Sequence, residues 1–119
     1  MHRTMKTLTQ TMFILSTWIV FLSSYAQESD HWQTFLAAKT YSDLGSDALK
    51  RGAGAEAVKL FKKALKLDPH NCMTRMGLGD AYLMSGEREK ASDSYKSAAN
   101  ARHGDDSCKT LSEISLNTL

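Results

Sequence analysis

The chain has 119 residues, with 15 Lys+Arg against 13 Asp+Glu, 42% hydrophobic residues and two cysteines. That length holds one small domain at most, and a net charge of +2 is too weak for a dedicated nucleic-acid binder. Two cysteines are too few for a disulfide framework, and their spacing fits no zinc motif.

Residues 1–26 read as a secretory signal peptide. Arg3 and Lys6 make a basic start, Met12 to Leu22 is an apolar run of 11, and Ser24-Tyr25-Ala26 offers a small-x-small cleavage site before Gln27. Such a run is about half of the roughly 20 residues that cross a bilayer, so no membrane span is expected after cleavage. An uncleaved signal anchor is the alternative. The 15 basic residues include Arg3 and Lys6, which leaves 13 against 13 acidic residues beyond the cut. No basic stripe then remains for nucleic acid or an anionic membrane surface. The expected location is secreted or periplasmic.

Residues 27–37 follow as an N-terminal helical or capping segment. Asp30-His31-Trp32-Gln33 resembles a capping box opening a helix. Trp32 and Phe35 are its aromatics. In an unbroken helix they extend the inner face described below, and with a kink near Ala38 they fold back over the first repeat. The kink is the expected outcome.

From residue 38 the chain repeats itself at a spacing of 34. Tyr41, Leu44, Gly45, Ala48, Gly52, Ala57, Phe61 and Ala64 return as Arg75, Leu78, Gly79, Tyr82, Gly86, Ala91, Tyr95 and Ala98. The leucine, both glycines and both alanines are unchanged, and Phe61 stays aromatic. The order resembles the tetratricopeptide repeat family, with its W-x2-L-G-x2-Y, A-x3-F and P pattern. Two units match, 38–71 and 72–105, departing at Arg75 and at His103, which replaces the closing proline Pro69.

Local chemistry agrees. Gly52 and Gly86 divide each unit into two helices, about 39–51 with 55–67 and 72–85 with 88–101. Asp68-Pro69 and Gly104-Asp105 break the chain between units. Residues 106–119 look like a third unit cut short, with Leu111-Ser112-x2-Ser115 in the register of Leu78-Gly79-x2-Tyr82 once one linker residue is removed. The fold class is all-α: two helix-turn-helix repeats plus a C-terminal capping helix, a short α-solenoid.

The resemblance implies that the first helix of each unit lines a concave surface where partners bind. At about 100° per residue, Leu44 and Ala48 point one way, and Lys39, Ser42, Ser46, Leu49 and Lys50 point away from them. In the second unit Met73, Met76, Asp80, Leu83 and Met84 fall on that inner side. Met73, Met76 and Met84 are all the methionines beyond the leader. Methionine is unbranched and polarisable, and it suits a surface that adapts to a partner. The functional expectation is a protein-binding module that receives a peptide or helix of another protein in this groove. The alternative is a homodimer or larger homo-oligomer whose own copies fill it. The carboxylate clamp of some family members is missing, because Ser46 and Asp80 stand where its asparagines belong.

Three other chemistries were weighed. His70, Cys72, Met73 and Met76 form a soft donor set that suits copper, a minor alternative. Cys72 and Cys108 open neighbouring helices of a stacked solenoid and could be bridged. No catalytic triad spacing and no phosphate-binding glycine loop is present, so neither an enzyme nor a cofactor is expected. Lys59, Lys62, Lys63 and Lys66 read as a solvated outer face.

Overall fold

A computed structural model describes residues 2–119, with side chains from residue 9 onward, so Arg3 and Lys6 lie outside the described side chains. Its helices are α1 (His2–Lys50), α2 (Gly54–Leu67), α3 (Cys72–Met84), α4 (Arg88–Ala99) and α5 (Asp106–Asn117). The chain divides into two compact units, Met1–Gln33 and Thr34–Leu119.

Helix α1 runs without interruption from the first unit into the second. No glycine or proline occurs before Gly45, so nothing in the sequence stops it. Two expectations fail for this reason. Asp30 opens no helix, and the helix is not broken near Ala38. In the first unit the run from Met12 to Leu22 is largely exposed. No helix among the described residues is long and apolar enough to cross a membrane.

In the second unit both repeats close their first helix in the same way. Gly52 and Gly86 each take φ 77°. Around the first, the Gly52 amide donates to the Leu49 carbonyl and the Ala53 amide to the Ala48 carbonyl; Gly86 to Leu83 and Glu87 to Tyr82 repeat the pair. These bonds satisfy the last helical carbonyls, and the left-handed residue is glycine because a Cβ would be strained there. Helices α3 and α5 start on side-chain caps, Asn71 accepting from the Thr74 amide and Asp105 from the Cys108 amide.

Packing follows the period of 34. Ala57 and Ala91, Phe61 and Tyr95, and Ala64 and Ala98 are all buried. The Phe61 ring lies against Gly45, where a Cβ would come within 2.9 Å of it, and the Tyr95 ring against Gly79, where the figure is 2.6 Å. Gly77 carries the contact across repeats, since a Cβ there would meet Phe61 at 2.6 Å. Side chains this close cannot coexist with a methyl group, so the glycines set the distance between helices.

Leu44 corrects the stripe read from sequence. It shares a side with Ala48 but is 45% exposed, whereas its counterpart Leu78 packs between two core clusters. Leu78 has a preceding repeat to pack against. Leu44 has none, and its face carries Asp43 and Asp47 where the next repeat has Gly77 and Ala81.

At the other end, α5 packs on α4 and α3. Cys72 and Cys108 are joined by a disulfide, with Cα atoms 6.3 Å apart and a sequence separation of 36. The bridge lies in a cluster with Ala98 and Ala101. Arg75, in the slot where the family pattern has a large apolar residue, clasps backbone instead. Its Nη1 donates to the Ser97 carbonyl at 2.7 Å and its Nε to the Pro69 carbonyl at 2.9 Å.

Two stability measurements check this packing. Gly79→Ala is expected to destabilise by about 1–3 kcal/mol through overpacking against Tyr95. Gly86→Ala, which meets no atom within 4 Å, should cost about 1–2 kcal/mol through φ alone. Chemical denaturation of both variants separates the causes, because a second substitution Tyr95→Leu should relieve only the first. Replacing both Cys72 and Cys108 by serine removes a cross-link over 36 residues and should lower stability by about 3–4 kcal/mol. Denaturation midpoints with and without a thiol reductant read that loss.

Candidate protein-binding face

The inner surface of the second unit is built from the last turns of α1 and from α3. Ser42 Oγ and Thr74 Oγ1 lie 3.1 Å apart and link the two helices. Ser46 donates to the Ser42 carbonyl, and so turns its hydroxyl into its own helix. Leu49 is half-buried against the first core cluster. Lys39 and Lys50 are exposed but each has a counter-ion one turn away on α1, Asp43 at 2.7 Å and Asp47 at 3.3 Å.

The methionines do not share one environment. Met73 is 61% and Met84 48% exposed, with Leu83 exposed beside them. Met76 is half-buried against the disulfide cluster, its Sδ 3.7 Å from Cys108 Sγ. A bridged sulfur has no hydrogen to donate, so this is a packing contact. The same bridge removes Cys72 as a thiolate ligand, which takes the strongest soft donor out of the copper set. Among the described residues no group of three or more His, Cys, Asp or Glu could hold a metal ion.

Phe35 lies at one end of the inner surface, in a groove with Lys39, Ser42, Met73 and Thr74. Trp32 belongs to the first unit and is exposed. Lys59, Lys62, Lys63 and Lys66 are all exposed on α2. Two of them rest on tyrosine rings, Lys62 at 5.8 Å from the Tyr82 centroid and Lys63 at 5.5 Å from that of Tyr41.

Asp80 is exposed on α3, and its Oδ1 accepts a hydrogen bond from the Tyr95 hydroxyl. Sequence reasoning passed over Tyr95 because its ring belongs to the core, at 1% exposure. A signal was present. The first repeat has Phe61 and Ser46 in the slots where the second repeat, 34 residues later, has Tyr95 and Asp80. The hydroxyl and the carboxylate enter together. Burial, and then the bond to Asp80 and its negative charge, push the Tyr95 pKa well above the ordinary phenol value.

A raised folded-state pKa stabilises the protein fully below the ordinary value near 10, and that stabilisation is lost as pH climbs above it. Tyr95→Phe should therefore cost about 1–2 kcal/mol at neutral pH. It should also flatten part of the alkaline fall in stability, which denaturation between neutral and strongly alkaline pH measures.

The sequence profile of the tetratricopeptide repeat matches residues 48–113, more than half of the 119-residue chain. No curated protein matches it. The profile begins within the first repeat and ends in α5, so it covers the Schellman-type turn at Gly52, both ring-on-glycine partners Phe61 and Tyr95, and the inner face of α3. Repeats of this kind stack into solenoids whose concave surfaces bind other proteins. The chain belongs to the tetratricopeptide repeat family.

Proposed function

We propose that this protein is a non-catalytic interaction module that works outside the cytoplasm and holds a segment of another protein on its inner face. The exposure of Met73, Leu83 and Met84 on a helix that the fold otherwise packs closely is the observation that supports this most. Full burial of an apolar side chain is worth about 1.5–3 kcal/mol, and a half-exposed one forgoes part of that, which a partner can recover. Phe35 and Ser42 offer a neighbouring aromatic and polar edge. Unbranched methionine adapts to more than one apolar shape at low cost in strain. The apolar run from Met12 to Leu22 and the small residues before Gln27 support export with cleavage after Ala26.

Site-specific photo-crosslinking in the host cells tests the reading. Crosslinkers at Met73 and Met84 are preferable to one at Met76, whose side chain packs inward. The expected result is a covalent adduct with a different protein, absent from a crosslinker at Lys59, in which this chain begins at Gln27. Adducts formed only with its own copies would replace the adaptor by a homo-oligomer, and adducts retaining residues 1–26 would overturn the cleavage.

A further inference from the structure

The charges on the inner face are not balanced alike. Lys39 and Lys50 are neutralised within α1 by Asp43 and Asp47, and the remaining ion pairs described, Arg51 with Glu56 and Lys90 with Glu87, lie elsewhere. Asp80 belongs to none of them. Helix α3 therefore brings an uncompensated negative charge to this surface.

Asp80 is also held in place. Its Oδ1 is tied to a hydroxyl whose ring is locked in the core, which leaves Oδ2 for an incoming donor. A carboxylate fixed before binding loses little side-chain freedom when a partner arrives. Around it lie Met73, Leu83 and Met84, which favour apolar contact. A purely apolar segment covering this surface would bury Asp80 without a counter-ion, and an acidic one would add repulsion. A lysine or arginine relieves both penalties, and its aliphatic stem packs along the methionines while its head reaches the carboxylate.

We propose that the inner face selects a protein segment in which a lysine or arginine stands between bulky apolar residues, the cation meeting Asp80 and the apolar chains covering Met73, Leu83 and Met84. This selectivity rests on the inner face being the partner site.

Three labelled peptides, identical Leu- and Phe-rich sequences apart from a central Arg, Gln or Glu, test it by fluorescence anisotropy against protein purified from its host. The Arg peptide is expected to bind about tenfold more tightly than the Glu peptide, and added salt should erode that advantage. Asp80→Asn keeps an acceptor for the Tyr95 hydroxyl and removes only the charge. It should bring the Arg peptide to the affinity of the Gln peptide and leave the Gln peptide unchanged. Equal binding of all three, or an Asp80→Asn variant that keeps the Arg preference, overturns cation selection while the groove stands. Absence of binding by every peptide overturns it too, and the crosslinks from Met73 and Met84 then decide the groove by themselves.

Discussion

An aromatic ring seated on a glycine organises the second unit. Phe61 lies on Gly45 and Tyr95 on Gly79, each within one repeat, and Gly77 brings the second repeat onto Phe61 as well. Three bare backbone patches and two rings thus determine how close four helices, α1 to α4, approach. The alanines at 57, 64, 91 and 98 are buried because the helices have come that close, and larger residues would not fit. Stacking of this kind makes each repeat dependent on its neighbour. That is why Leu78 is packed and Leu44, in the same slot without a neighbour, is not.

The same contact reaches the surface through a single atom. The second repeat has a tyrosine where the first has a phenylalanine, and its hydroxyl emerges at the inner face to hold Asp80. A core side chain thereby fixes the geometry of a surface carboxylate. Any change that shifts the Tyr95 ring, including a methyl group at Gly79, is felt at the inner face as well as in stability. Packing and recognition are coupled at this one position.

Among the described residues no further repeat covers either end of the stack, and the two ends are built differently. At the α1 side the face that would receive a neighbour carries Asp43 and Asp47, which hold the helix's own lysines and stay in water. At the α5 side the treatment is covalent and polar. Ser112, fully buried, replaces the repeat glycine and turns its hydroxyl onto the Cys108 carbonyl, and the disulfide ties α5 to the start of α3. In a helix of 12 residues that buries little besides Cys108 and Ser112, such a bridge contributes a large share of the attachment.

The repeat period, the helix pairs, the glycine turns and the short helix after residue 105 are all legible in the sequence, because each depends on residues near one another along the chain or on a period that shows by simple comparison. Which side chains share one side of a helix is legible for the same reason, since helical angle needs only position. Tertiary structure decided which of those side chains are free. It turned Met76 inward onto the disulfide, left Leu44 in water and joined Asp80 to Tyr95 across 15 residues. It also carried α1 through Asp30 and Ala38 without a break, where a start and a kink were expected. A capping motif acts only where the chain is otherwise free to leave the helix, and here no breaker frees it. Partners distant in sequence and the absence of a neighbouring repeat are properties of the assembled stack, and no local pattern encodes them.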